Sequence, residues 1–241
     1  MGKERLDRIL GHMGLGSRKE LKALVKDRRV TVDGTPVADS GLQVDPQAQV
    51  IAVDGQTVAY RSRFHVLLHK PGGVITATED PRAATVMDLL PPALMHRDLA
   101  PVGRLDKDTE GLLLITTDGE LTHRLLSPKW HVAKRYLARV EAPLKADDPP
   151  AFAAGITLDD GYVCLPGGLE ILSPHEAVVT IHEGKYHQVK RMFEARANRV
   201  IYLKRLSMGP LELGDLPLGE ARPLTDGEVA ALYASAALAQ D

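Results

Sequence analysis

The sequence predicts a mixed α/β protein with two domains, a small N-terminal domain followed by a larger one. Short helical and hairpin patterns crowd the first part of the chain, whereas longer apolar runs rich in β-branched residues alternate with helical patterns further on. The charged segment Arg61–Arg63 separates the two parts. We therefore place the first domain at residues 1–60 and the second at 61–241, lengths that allow one small and one large core.

The first domain begins with two predicted amphipathic helices. Apolar residues recur with helical spacing over residues 6–13, and glycines follow them. A capping box formed by Ser17 and Glu20 predicts the start of a second helix. The basic side chains that lie away from the apolar face of this second helix are Arg18, Lys19, Lys22 and Lys26.

Small strands complete the first domain. An Asp33-Gly34 turn between two β-branched segments predicts a hairpin over residues 30–37. Residues 50–55 predict another strand that ends in an Asp-Gly turn. Two helices and a few short strands in so few residues indicate a compact module.

Basic residues are concentrated in two parts of a chain whose formal net charge is only −2. Residues 1–30 carry nine Lys and Arg against four Asp and Glu, and residues 182–205 carry seven against two. Residues 206–241 carry one against six. This asymmetry suggests a face that binds a polyanion, although solvated helix faces are the simpler interpretation.

Cysteine content and hydropathy restrict the class of protein. The single Cys164 excludes an internal disulfide and a zinc site built from several cysteines. The N-terminus lacks the basic and apolar pattern of a signal peptide, and no apolar run is long enough for a membrane helix. We therefore expect a cytoplasmic protein without a membrane partner.

The second domain alternates predicted strands and helices. Strands are predicted at 64–68, 112–116, 134–140, 169–171, 177–181 and 199–203, and helices at 86–90, 120–127, 150–154, around 189–193 and after the capping box at 225–228. Prolines limit several of these helices, as at Pro91 and Pro128. The domain therefore contains more strand-forming segments than helices.

One stretch of this domain, residues 103–119, combines polar groups with a buried strand. A loop bounded by Gly103 and Gly111 carries Arg104 and Asp106, and the apolar run 112–116 follows at once. Polar residues on a tight loop next to a rigid strand are a common arrangement at catalytic sites. The simpler interpretation of Asp106 and Asp108 is a pair of loop acids beside a strand.

Metal and hydrolase patterns fit this chain poorly. Asp106, Asp108 and Glu110 imitate the start of a calcium loop, but Thr117 stands at the twelfth position, where Glu is needed. The spacing from His182 to His187 is one residue too long for a zinc helix. One alternative function stays open, a hydrolase that uses paired Asp106 and Asp108. This alternative predicts metal dependence and RNA cleavage.

Four segments together resemble the RNA pseudouridine synthases of the RsuA/RluA superfamily. The resemblance runs from about Leu6 to Leu232 and includes a basic N-terminal module similar to the RNA-binding domain named after ribosomal protein S-four. The segments that carry it are Arg28–Gly34, Lys70–Gly73, Gly103–Gly119 with its Gly-Arg-Leu-Asp, and Gly184-Lys-Tyr-His-Gln-Val-Lys-Arg-Met-Phe193. It implies a small S-four-type domain joined to a larger synthase domain with a mixed, mainly antiparallel sheet.

The resemblance also implies roles for individual residues. Asp106 matches the essential aspartate, and Tyr136, in a Lys-x-Tyr strand, matches the tyrosine that stacks on the target base. Lys190 matches the basic partner of the aspartate, although many relatives carry Arg there and Arg191 stays a second choice. Arg104 matches an arginine thought to fill the gap left by the extruded nucleotide. The predicted RNA-binding residues are Arg104, Arg18, Lys19, Lys22, Arg28, Arg29 and Arg191.

The implied reaction converts uridine to pseudouridine in ribosomal RNA without a cofactor or an essential metal, because no redox step occurs. The aspartate either attacks the sugar or removes a sugar proton, and the sequence leaves both mechanisms open. We expect a monomer acting on 16S rRNA in a pre-ribosomal particle. The alternatives are a 23S rRNA synthase of the RluB, RluE or RluF type and a non-catalytic ribosome-assembly factor. The sequence does not identify which uridine is modified. It also does not show whether the substrate is free rRNA or an assembling subunit.

Overall fold

The structure is a computed structural model that describes residues 3–58 and 60–238. These residues divide into two compact units. The first unit extends to Phe64 and also includes Met95–Leu99, and the second comprises His65–Leu94 and the chain from Ala100 onward. No local sequence pattern indicates that Met95–Leu99 belongs to the first unit.

The first unit packs two helices on short strands. The helices are α1 (Leu6–His12) and α2 (Arg18–Lys26), and Ser17 and Glu20 form the predicted capping box at the start of α2. The strands are β1 (Glu4–Arg5), β2 (Val30–Val32), β3 (Thr35–Pro36), β4 (Gln43–Val44), β5 (Ile51–Val53) and β6 (Gln56–Thr57). Strands β2 and β3 form the predicted hairpin, and aliphatic side chains of α1, α2 and these strands form one core.

The second unit is organised around a mixed, mainly antiparallel sheet, as the sequence predicts. In the described part of the chain its strands lie in the order β11-β12-β10-β13-β9-β7-β15, with β14 on β13 and β8 on β9. Only the pair β13–β9 is parallel among these described strands. The strands are β7 (His65–Lys70), β8 (Ala100–Pro101), β9 (Glu110–Thr116), β10 (Lys134–Val140), β11 (Gly168–Ser173), β12 (Glu176–Ile181), β13 (Val200–Met208), β14 (Leu211–Glu212) and β15 (Ala221–Pro223).

Helices cover this sheet and bury its apolar residues. They are α3 (Gly119–Leu126), α4 (Asp148–Ala154), α5 (Gln188–Glu194) and α6 (Asp226–Ser235), and 3₁₀ turns lie at Met87–Leu89, Pro92–Leu94 and Pro128–Trp130. Leucines of β7 and β9 share a core with side chains of α3 and α6. Helices α4 and α5 meet through the rings of Phe152 and Phe193, whose centroids are 5.2 Å apart.

The strands and helices predicted for the second unit are found near their predicted positions, with several differences. The helix predicted at 86–90 is a 3₁₀ turn at Met87–Leu89, and β8, β14 and β15 were not predicted. The basic segment that begins at Glu183 becomes helical only from Gln188, because residues 183–187 form a loop. The strand predicted at 199–203 continues to Met208, since it pairs with β10 and β14 along its length. Within residues 3–58 and 60–238, no helix is long and apolar enough to cross a membrane.

Candidate active site

Two glycines shape the loop that carries Asp106. Gly103 has φ +72°, and a Cβ there would lie 2.7 Å from Cδ2 of Leu126. Gly111 has φ +108°, and a Cβ there would collide with the backbone of Arg205 on the parallel strand β13. Position 111 therefore requires glycine, because backbone atoms of Arg205 occupy the space of a side chain. At Gly103 the left-handed φ favours glycine, and the close contact is with the end of the flexible Leu126 side chain. The spacing of the two glycines sets the length of the loop between them.

Backbone contacts hold Asp106 from the N-terminal side. The Thr76 hydroxyl donates to the Leu105 carbonyl oxygen at 2.8 Å and accepts from the Leu105 amide at 3.1 Å. The Leu105 side chain is 5% exposed, so it anchors the loop in the core. Its neighbours Arg104 and Asp106 are more exposed than Leu105. The buried Leu105 thus fixes the loop between the more exposed side chains of Arg104 and Asp106.

The ammonium group of Lys70 supports the same loop through hydrogen bonds to backbone oxygens. Lys70 is fully buried, and its Nζ donates to the carbonyl oxygens of Thr109 at 2.9 Å, Pro71 at 2.9 Å and Lys107 at 3.3 Å. Burial lowers the pKa of Lys70 to about 8, although nearby carboxylates, that of Asp108 first, act in the opposite direction. The Lys-Pro pair seen in the sequence therefore supports the loop through backbone oxygens.

Lys190 of α5 reaches the two acids of this loop. Its Nζ lies 2.9 Å from Oδ2 of Asp106 and 2.7 Å from Oδ1 of Asp108. Burial favours a lower pKa of Lys190, but the hydrogen bonds that its ammonium donates to Asp108 and Asp106 outweigh it and raise the pKa above the ordinary value. Burial favours a higher pKa of Asp108, and Lys190 outweighs it and lowers that pKa. Lys190 is therefore held as a cation between two carboxylates.

His187 lies on the other oxygen of Asp106. Its Nε2 is 3.5 Å from Oδ1 of Asp106, and its side chain is 38% exposed. His187 has φ +50° at the N-terminal cap of α5, a conformation that His adopts more readily than most residues. The sequence analysis did not identify this residue as part of the site. The only indication of this role in the local sequence is that His187 directly precedes Gln188 in the basic segment.

Asp106 and His187, but not Lys190 or Asp108, line an open cleft of about 90 Å³. The cleft is lined by residues of the loop around Asp106, by Tyr136 of β10, by Leu203 of β13, and by Gly184, Lys185 and His187. Register explains why they meet: Arg205 of β13 pairs with Gly111 on one side and with Tyr136 on the other. Tyr136 and the end of the Asp106 loop therefore lie in one line across three neighbouring strands.

The structure distinguishes Lys190 from Arg191 as the neighbour of Asp106. The Arg191 guanidinium binds Asp159 and lies 2.7 Å from Oδ2 of Asp160. The hydrogen bonds that Arg191 donates to Asp160 and Asp159 raise its pKa. The sequence left both residues open, and the geometry selects Lys190. Asp108, which the sequence analysis left as structural or solvent-facing, shares Lys190 with Asp106 and is 74% exposed at its side chain.

The remaining predicted site residues lie in the first unit or at the cleft. Arg104 is exposed and lines the cleft. Arg18, Lys19 and Lys22 are exposed on α2. Arg28 is exposed with φ +56°, and Arg29 forms an ion pair with Asp54 at 2.6 Å. Within the described ranges, no three His, Cys, Asp or Glu side chains are grouped as a metal site.

Comparison with known families and proteins identifies the family of the chain. Residues 64–195 match the RNA pseudouridylate synthase family, and residues 4–50 match the S4 domain. The chain is 47% identical over 230 residues to the uncharacterized RNA pseudouridine synthase YtzG of Bacillus subtilis, covering 93% of this chain and 96% of that one. It is 38% identical over 231 residues to ribosomal small subunit pseudouridine synthase A of Escherichia coli K12, covering 95% and 99%.

A solved structure has the same overall architecture. The crystal structure of a pseudouridylate synthase matches with a TM-score of 0.66 and 34% sequence identity, covering 95% of this chain and 99% of that one. The match includes the N-terminal module as well as the sheet that carries the cleft. The family match, the relatives of nearly equal length and this structure lead to one conclusion: the chain belongs to the RNA pseudouridine synthase family and carries an S4 domain at its N-terminus.

Proposed function

We propose that this protein isomerises one uridine of 16S ribosomal RNA to pseudouridine, with Asp106 as the catalytic residue. The observation that carries the proposal is the position of Asp106 in the cleft, with Oδ2 held by Lys190 and with Tyr136 among the cleft residues. Relatives named ribosomal small subunit pseudouridine synthase A, similar over nearly the whole chain, support the choice of rRNA.

The reaction breaks the bond between C1′ of the ribose and N1 of uracil, turns the base, and forms a bond between C1′ and C5. The proton on C5 leaves and N1 gains one, so no electrons are transferred to another molecule. Asp106 takes part as a carboxylate, either by attack on C1′ or by removal of the proton on C2′. Lys190 holds Oδ2 of this carboxylate at 2.9 Å, and Oδ1 faces His187 at 3.5 Å.

The other cleft residues hold the base. Tyr136 is buried, 7% exposed as a residue, but it is fixed on β10 and lines the cleft, where its ring stacks on a flipped uracil at about 1–3 kcal/mol. Flipping itself costs a few kcal/mol, so binding elsewhere on the protein offsets it. Arg104, exposed at the cleft, occupies the gap in the RNA stack.

The basic side chains outside the cleft supply that binding. We propose residues 1–60 as the S4-type RNA-binding domain and residues 61–241 as the catalytic domain. Arg18, Lys19 and Lys22 on α2, together with Arg28, Arg29 and Arg191, contact phosphates with salt-dependent affinity. We further propose that a monomer acts in the cytoplasm on a pre-ribosomal particle, without a cofactor.

The test is a carbodiimide and primer-extension map of pseudouridine in unmodified 16S and 23S rRNA and in assembly intermediates. The wild-type chain is compared with Asp106→Asn and with Asp159→Asn, a control whose side chain is 80% exposed outside the cleft lining. We expect one new site with wild type and with the control, and none with Asp106→Asn. A site in 23S rRNA would correct the choice of RNA, modification by Asp106→Asn would remove Asp106 from the mechanism, and RNA binding without any site would favour an assembly factor.

A further inference from the structure

Tyr186 presents an aromatic ring to solvent beside the cleft. Its side chain is 77% exposed, the highest value among the large hydrophobic residues of the described chain. A single exposed apolar residue is common on protein surfaces and by itself indicates nothing. Tyr186 differs because its ring is held in place and because its neighbours Lys185 and His187 line the cleft that contains Asp106.

The ring is held by stacking on His187. The two ring centroids are 3.8 Å apart and the planes differ by 18°. His187 in turn lies 3.5 Å from Oδ1 of Asp106. One face of Tyr186 is therefore covered by a residue of the site, and the high exposure of the side chain leaves the opposite face open. The stack extends from the proposed catalytic carboxylate to the rim of the cleft.

The loop that carries this stack is anchored by buried polar groups. Glu183 is 1% exposed, and its carboxylate accepts hydrogen bonds from the Tyr162 hydroxyl at 2.6 Å, the Leu165 amide at 2.9 Å and Nε2 of Gln188 at 2.9 Å. Oε1 of Gln188 accepts from the Lys185 amide at 2.9 Å. An aromatic side chain on such an anchored loop loses little conformational entropy when it binds a ligand.

The surroundings of the open face favour a nucleobase. The ammonium of Lys185 is on the same loop, 4.5 Å from the centroid of the Tyr162 ring, and can attract a phosphate next to a bound base. Stacking on exposed aromatic rings is a principal way in which proteins bind unpaired bases of RNA. A uridine whose ribose reaches Asp106 places its neighbours in the chain at the rim of the cleft.

We propose that Tyr186, backed by His187, is a stacking subsite for a nucleobase directly next to the target uridine. The proposal rests on the proposed function, because the position of the neighbour is defined by a uridine at Asp106. The subsite binds an unpaired base of either ring size, since every base has a π face. It adds affinity for the strand around the target without contributing to the chemical step.

The test combines a protein change with an RNA change. The substrate is a short RNA that contains the uridine found by the mapping above, either intact or with an abasic residue on its 5′ or its 3′ side. Pseudouridine formation is measured with wild type, Tyr186→Ala and Tyr186→Phe, and with Leu172→Ala as a control at another exposed residue, 51% exposed on β11. Circular dichroism confirms that each variant is folded.

We expect Tyr186→Ala to lower kcat/KM on the intact RNA by roughly 5- to 150-fold, mainly through KM, and Tyr186→Phe and Leu172→Ala to stay close to wild type. On the RNA that lacks the stacked base, wild type and Tyr186→Ala should be equal, because the interaction is already absent. A 2-aminopurine at that position should be quenched on binding by Asp106→Asn, and less so when Tyr186→Ala is added.

The outcomes separate this proposal from the proposed function. An active wild type with an unimpaired Tyr186→Ala overturns the subsite alone, as does a defect of equal size on the intact and both abasic RNAs. A defect in Tyr186→Phe as large as that in Tyr186→Ala also overturns it, since the ring alone is proposed to act. A wild-type chain that forms no pseudouridine in any rRNA overturns the proposed function and the subsite together.

Discussion

Helix α5 carries two adjacent cations, and their surroundings differ although their contacts look alike. Lys190 and Arg191 are 19% and 16% exposed at their side chains, and each lies between two carboxylates. Lys190 binds Asp106, which lines the cleft, and Asp108, which does not, whereas neither partner of Arg191 lines it. An ion pair by itself therefore does not indicate function, and the position of Asp106 in the cleft does.

The two clusters also differ in the solvent exposure of their acids. Asp159 and Asp160 are 80% and 57% exposed, so water solvates them well even without Arg191. Asp106 is 26% exposed and has His187 on its second oxygen. Removal of the cation should therefore affect the first cluster far more than the second.

The largest effect is expected at Asp106. Asp106→Asn preserves the shape of the side chain but removes the nucleophile or base, so pseudouridine formation should fall by at least about 10⁴-fold. Single-turnover assays on the mapped RNA measure this directly. RNA affinity should remain within about threefold of wild type, because most phosphate contacts lie elsewhere. A variant with a tenth of wild-type activity would contradict the proposed role.

Lys190→Met should have the second largest effect. Asp106 and Asp108 then share no cation, and we expect a loss in kcat of about 10²–10³-fold. Lys190→Arg should restore part of the activity. A Lys190→Met variant with wild-type kcat would show that Lys190 does not support Asp106 in the reaction.

Arg191→Met sharpens the comparison because it removes the neighbouring cation. Its turnover should stay within about threefold of wild type, and the free energy of unfolding should change little, since both partner acids are well solvated. Kinetics and urea denaturation measure the two quantities. A loss as large as that of Lys190→Met would mean that the two clusters function together.

The prediction at a third ion pair, outside both clusters, concerns stability and not turnover. Arg222 binds Glu228 through two hydrogen bonds of 2.7 and 2.8 Å, and this is the main reason that the pKa of Glu228 is lowered to about 2. A lowered carboxylate pKa adds stability above the unfolded value of 4.5, and this stability is lost as the pH falls toward 2. Glu228→Gln should therefore cost roughly 1 kcal/mol at pH 7.

The comparison at low pH completes that prediction. The difference in free energy of unfolding between wild type and Glu228→Gln should be constant from pH 7 to about 5 and should shrink below that. Urea denaturation followed by circular dichroism at several pH values is sufficient. A difference that persists at pH 2.5 would assign the effect to the shape of the helix cap instead of its charge.

Much of the fold was predictable because its signals are local. The capping boxes at Ser17 and Thr225 and the apolar run of β9 are found where the sequence predicts them. Strand β10 has the predicted bounds, since alternation of side chains defines a strand within a few residues. Gly103 and Gly111 were also visible as the limits of a loop, and the structure adds the steric reasons.

Tertiary structure decided which side chains meet. Lys190 and Asp108 are 82 positions apart, and only the order and register of β9, β13 and β10 bring α5 to the Asp106 loop. Adjacent residues of a helix project in different directions, so the choice between Lys190 and Arg191 needed the positions of both partners. The sequence analysis missed His187 because its contact with Asp106 is also set by the tertiary structure. The sequence by itself determined the elements and the family, and long-range packing determined the electrostatics of the site.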